Sequence, residues 1–142
     1  ASLTRAQAAA ILVRMTGLTP VKSGSSFADC RGHWAEDYID MAKKYGMVSG
    51  TGGNRFEPDR QVTRAEMAVM LNNVLGYSGS ARTFSDVTRA GYPWAYDAIS
   101  ALDAQGVLNG NSDNRFRPQN KITRAETAAI ITRVDRSRLR VS

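Results

Sequence analysis

The chain has 142 residues, 42% of them apolar, with a formal charge of +6 and a pI near 9.9. That length suits one compact domain with its own core, and no apolar run approaches the ~18 residues of a membrane-spanning helix. No leader pattern is visible. The single cysteine, Cys30, excludes an internal disulfide and CxxC-type metal chemistry, and a lone His33 makes no zinc site without several carboxylate partners. The basic balance favours acidic partners: nucleic acid, anionic lipid or acidic polysaccharide.

In chain order, the first predicted element follows LTRAQ at 3–7, where Thr4 and Gln7 allow a capping box. Ala8, Ile11, Leu12 and Met15 then mark one buried helical face, closed by Gly17. LTPVKSGSS at 18–26 reads as an exposed linker. A second helix is predicted from near Trp34, with Ile39 and Ala42 on its apolar face and Gly46 after it. The turn GTGGNRFEP leads to VTRAE at 62–66, where Thr63 and Glu66 make a T-x-x-E capping box. Met67, Met70, Leu71 and Val74 follow at helical spacing, ending at Gly76. YSGSART at 77–83 reads as the next exposed linker. A fourth helix starts near Trp94, with Pro93 suited to its first turn and Gly106 behind it. After GNSDNRFRP comes ITRAE at 122–126, with a stripe of Thr127, Ile130, Ile131 and Val134. The tail at 133–142 reads as a solvated helix end.

The elements repeat. The arginines of the three TRA motifs fall at 5, 64 and 124, in steps of 59 and 60. Residues 27–66 and 84–126 align through Phe27/Phe84, Asp29/Asp86, Trp34/Trp94, Gly46/Gly106, Gly50/Gly110, Phe56/Phe116 and Pro58/Pro118, with a three-residue insertion before Trp94. The chain thus holds two full units and the rear half of a first. Each TRA arginine stands at the first helical position, where the helix dipole makes a cation unfavourable by roughly 0.3–1 kcal/mol. The same helix end favours an anion, and arginine adds a planar fork that grips a carboxylate.

The unit F-x-D…W-A-x-x-x-I…G-x-x-x-G…F-x-P…I-T-R-A-E resembles the S-layer homology domain over nearly the whole chain. The resemblance implies an all-α fold, a pseudo-threefold helical bundle with the TRA helices at the centre and helix-turn lobes outside. It implies a single domain over 1–142, with the rear half of a first repeat at 1–17, a second repeat at 27–76 and a third at 84–136. It also implies non-catalytic anchoring of an exported protein to bacterial cell-wall polysaccharide, typically bearing pyruvate ketals on an N-acetylmannosamine-type sugar. No cofactor is implied.

The ligand-binding candidates are Arg5, Arg64 and Arg124, with Asp29, Asp86, Trp34, Trp94, Gly46, Gly50, Gly106 and Gly110 around them. Arg5 is expected against the segment Asp29–Gly50 and Arg64 against Asp86–Gly110, while Arg124 lacks the front half of the first repeat. Two complete grooves and one open one are expected. Gln7 replaces the motif glutamate, and Cys30 stands where the family usually has valine.

Each candidate has a structural alternative. The arginines could form ion pairs across repeats, to Asp29 or Asp86. Trp34 and Trp94 sit at helical spacing from core positions and read as core, against a part-exposed indole stacking on sugar. The four glycines read as backbone positions of positive φ. His33 reads as a helix-start or surface residue and Cys30 as a small buried one. Asp113-Asn114 lacks EF-hand spacing, so no metal is expected. No catalytic triad is recognisable, and basic residues without interleaved aromatics argue against nucleic acid. The competing function is a structural assembly module, completed by a second chain across the incomplete repeat.

Overall fold

In the computed structural model, residues 1–22, 24, 26–79, 84–108 and 113–134 are described. Five α-helices carry the fold: α1 (Arg5–Met15), α2 (Glu36–Lys44), α3 (Arg64–Leu75), α4 (Tyr96–Ala104) and α5 (Arg124–Thr132). One 3-10 turn spans Ala28–Cys30, and no strand forms among the described residues beyond isolated bridges. The protein is all-α.

The three TRA helices start as their sequences dictate. Thr4, Thr63 and Thr123 each accept from the amide three residues on, and Gln7, Glu66 and Glu126 return the bond to the threonine amide. The residues ahead of these helices then tie to one another. Leu3 N donates to Ile122 O at 3.1 Å, Val62 N to Leu3 O at 2.8 Å, and Ile122 N to Val62 O at 3.1 Å. This closed ring of three bonds holds the three helix starts together, with Leu3, Val62 and Ile122 buried at its centre.

Around it the helices are unequally buried. α1 packs against α2, α3 against α4, and α1 against α3. α1 is buried on almost every side, through Ala6, Ala8, Ala9, Ala10, Leu12, Val13 and Met15. α5 buries only Thr127 of its own residues, and Ile130 and Ile131 are half-exposed. The predicted stripe therefore exists on α5, but among the described residues little packs against it.

Gly17, Gly46, Gly76 and Gly106 all adopt positive φ at the predicted helix ends. Two readings are corrected. Tyr77, taken with the exposed linker, is buried and donates its amide to Asn72. Trp34 and Trp94 are not core: they are 59% and 55% exposed. α2 and α4 begin two residues later than the tryptophans, and the buried stripe runs through the alanine after each one, with Ile39 or Ile99 four positions on. The indoles are left one position off the apolar face.

Candidate functional site

The front half of each full repeat is a clasped loop. Asp29 accepts from the amides of Phe56 and Glu57, both at 2.9 Å. Asp86 does the same for Phe116 and Arg117, both at 2.8 Å. Glu57 and Arg117 sit at φ 56 and 60, a left-handed conformation that costs a side-chain-bearing residue about 1–2 kcal/mol. The aspartate bonds offset that strain and fix the turn. Phe27 packs on Phe56, and Phe84 on Phe116, with centroids 5.4 and 5.5 Å apart. Asp29 and Asp86 are thus loop clasps, and among the described residues the alternative of an ion pair from a TRA arginine is met by Glu66 and Glu126, not by either aspartate.

Burial pushes the Asp29 carboxyl up, but the bonds from Phe56 and Glu57 and from the Cys30 thiol outweigh it, leaving the group below its ordinary value. A depressed carboxylate contributes stability that is present above the unfolded pKa, near 3.9, and is lost as pH falls through the folded value. Asp29→Asn is therefore expected to melt lower than wild type at pH 6, with the gap closing below about pH 4. A gap that stays constant from pH 6 to pH 2 contradicts the clasp. Cys30 itself is buried, as its apolar reading requires, and burial followed by the Asp29 charge raises its thiol to about 12. It is inert at neutral pH.

The clasped loop receives the arginine of the preceding repeat. Arg5 Nε donates to Phe56 O at 2.7 Å, Nη2 to Ser49 O at 2.9 Å and Nη1 to Glu66 Oε2 at 3.2 Å. Its guanidinium carbon lies 4.4 Å from the Phe56 ring centroid. Burial lowers the Arg5 pKa and the Glu66 charge opposes that; the group stays protonated. Arg64 repeats the pattern one unit on, bonding Phe116 O at 2.8 Å, pairing with Glu126 and covering the Phe116 ring at 4.8 Å.

Arg124 is exposed, with no counterpart of that loop packed on it among the described residues. Among the described residues no carbonyl or carboxylate holds its guanidinium. Among the described residues the three arginines, alike in sequence, run from buried to exposed.

The helix ends they occupy hold fewer free amides than the dipole argument supposes. Arg5 N and Ala6 N donate to Arg60 O and Pro58 O, both at 2.8 Å. Arg64 N and Ala65 N donate to Asn120 O and Pro118 O, at 2.8 and 3.0 Å. These donors are spent on the next repeat, so an anion there meets side chains, not bare backbone.

A groove of about 180 Å³ opens beside Arg5, lined by Ser49, Thr51, Glu66, Asn73 and Trp94. It adjoins a wider one of about 990 Å³ lined by Arg60, Glu66, Tyr92 and Trp94. Three repeats meet here: the first gives Arg5, the second Ser49–Thr51 and Glu66, the third the exposed Trp94.

Of the other candidates, Gly46 and Gly106 have φ 72 and 74, as expected. Gly50 does not share their positive φ; a Cβ there would lie 2.7 Å from a Phe27 ring carbon and 2.8 Å from Arg55 O. It permits close approach of loop to ring. Gly110 lies outside the described residues. His33 accepts from the Ala35 amide at the start of α2 and bonds Asp59 at 2.9 Å. No metal-holding cluster of His, Cys, Asp or Glu forms among the described residues. Sequence reasoning missed Glu66 and Glu126 as arginine partners. Their capping role was legible, but one carboxylate oxygen caps while the other reaches across repeats.

A repeated helix-turn unit whose arginine locks into the following loop defines an all-α module built by register between repeats. The S-layer homology domain model matches residues 26–68 and 83–128, together more than half of the chain, and the chain belongs to that family. It is 33% identical over 142 positions to a cellulosome-anchoring protein of Acetivibrio thermocellus, covering 93% of this chain and 32% of that protein. It is 31% identical over 140 positions to an S-layer protein of Bacillus thuringiensis subsp. finitimus, covering 94% of this chain and 17% of that one. An endo-1,4-beta-xylanase A of Thermoanaerobacterium saccharolyticum is 35% identical over 111 positions, covering 75% and 9%. The chain spans at most about a third of these relatives' lengths.

Proposed function

We propose that this chain is a non-catalytic anchoring module of the bacterial cell surface that binds acidic, pyruvylated cell-wall polysaccharide through its inter-repeat grooves. The observation that carries the reading is the groove itself, where an arginine, a clasped loop and an exposed indole from three repeats converge in a member of a family with anchoring and S-layer relatives. A pyruvyl ketal presents one carboxylate on a sugar ring. The carboxylate suits an arginine fork, and the apolar face of the ring suits an indole with more than half its surface exposed. No helix among the described residues is long and apolar enough to cross a membrane. Attachment in this reading runs through glycan.

The test is co-sedimentation with purified cell-wall sacculi before and after the secondary polysaccharide is extracted. Sedimentation with intact sacculi only is expected; equal sedimentation with stripped peptidoglycan contradicts the reading. A second reading, an assembly module completed by another chain, draws on the poorly covered α5 face.

A further inference from the structure

We infer that the wide lobe beside Trp94 is a second sugar site, built by the three-residue insertion in the third repeat, and that it takes a sugar carrying no carboxylate. The inference rests on the polysaccharide reading and extends it from one sugar to two. Trp34 follows Phe27 by seven positions, whereas Trp94 follows Phe84 by ten. The lobe, about 990 Å³, is lined by Glu57, Arg60, Gln119, Gly91, Tyr92 and Trp94 among others. It contains no TRA arginine, and its lining comes from the second and third repeats alone.

The inserted turn is held by its own bonds. Gly91 N donates to Thr88 Oγ1 at 3.0 Å and Tyr92 N to Thr88 O at 2.9 Å, while Tyr92 O accepts from the amides of Ala95 and Tyr96. The Tyr92 ring then stands 6.0 Å from the Trp94 ring at an angle of 57°. The two make an aromatic corner against which the apolar face of a sugar ring can pack. In the second repeat the place beside Trp34 belongs to His33, whose imidazole is spent on the Ala35 amide and on Asp59.

The polar wall decides which sugar enters. Glu57 and Glu66 both lean on Arg60, at 3.7 and 2.8 Å. Two carboxylates against one guanidinium repel a further carboxylate. Sugar hydroxyls, by contrast, meet acceptors and donors together on Glu57, Arg60 and Gln119. Thr51, Glu66 and Trp94 line both this lobe and the Arg5 groove. A glycan with its acidic sugar in that groove therefore carries the next residue into the lobe.

Three synthetic methyl glycosides test this. The first is a hexosamine bearing a 4,6-pyruvate ketal. The second is the same sugar extended at its reducing end by one N-acetylhexosamine, and the third is extended by glucuronic acid instead. Binding is followed by calorimetry and by NMR at the Trp94 indole. The uncharged extension is expected to raise wild-type affinity about tenfold and the uronic acid to raise it not at all. Tyr92→Leu keeps apolar bulk where Tyr92 packs against the core. It is expected to bind the single sugar as wild type does and to lose the gain from extension. Glu57→Gln is expected to narrow the gap between the two disaccharides.

With the single sugar binding, no gain from extension, an equal gain in Tyr92→Leu, or equal affinity for the two disaccharides each overturn the inference and leave the polysaccharide reading standing. The wild-type series and Glu57→Gln decide the matter even where Tyr92→Leu disturbs the turn. Failure of all three glycosides to bind overturns the pyruvylated-glycan reading, and this inference with it.

Discussion

Replacing Arg5 by alanine is expected to destabilise the protein by about 3–5 kcal/mol, the range for breaking a buried charged pair by removing one partner. The guanidinium serves Phe56 O, Ser49 O and Glu66 at once, with its side chain 7% exposed and that of Glu66 18%. Alanine strips all three acceptors, leaves the Glu66 carboxylate facing Arg60 alone, and releases a loop whose turn is already strained at Glu57. In a chain of this size the melting temperature should fall by about 10 °C or more. Arg124→Ala, at an exposed residue with no ion pair among the described residues, should stay within about 0.5 kcal/mol of wild type. Equal, small changes in both variants, measured by urea denaturation, contradict the unequal burial of the TRA arginines.

Gly50→Ala is the second large effect, expected at about 1–3 kcal/mol from overpacking. The new methyl would press on the Phe27 ring at 2.7 Å and on Arg55 O at 2.8 Å, a backbone atom that cannot rotate away. Ser49 O, which holds Arg5, is the neighbouring carbonyl, so the groove should loosen with the fold. Gly46→Ala is the control. Its Cβ meets nothing within 4 Å, and its cost should be the ~1 kcal/mol of placing alanine at φ 72. A Gly50→Ala chain as stable as wild type, with Gly46→Ala the worse of the two, contradicts the close-approach account.

How much of this was legible in the sequence depends on the range of the interaction. The capping boxes at Thr4, Thr63 and Thr123 and the glycine helix ends are local, set within three or four residues, and they stand as read. The expectation that Arg5 meets the second repeat's loop and Arg64 the third's rested on each groove joining one TRA helix to the front half of the next repeat, and the two arginines bond those repeats at Ser49, Phe56 and Phe116.

Partner identity was not legible. Asp29 and Glu66 are both acids near the arginine in the repeat, and only the fold shows that Asp29 spends its oxygens on two amides. The tryptophans failed by a single position. A helix beginning at Trp34 buries it, whereas one beginning at Glu36 hands the apolar face to Ala35 and Ile39. Periodicity alone does not resolve helix starts that finely. α5 shows a third limit: its stripe has the same spacing as those of α1 and α3, but burial depends on what packs there.

These points bear on the ligand. Arg5 and Arg64 lock successive repeats together, and in the proposed function the carboxylate of the glycan is the decisive contact in the grooves between them. Calorimetric titration with the purified wall polysaccharide, before and after chemical removal of its pyruvate, tests that directly. The account predicts saturable binding to the pyruvylated polymer that drops by about tenfold or more once pyruvate is removed. Equal affinity for the two polymers would contradict it.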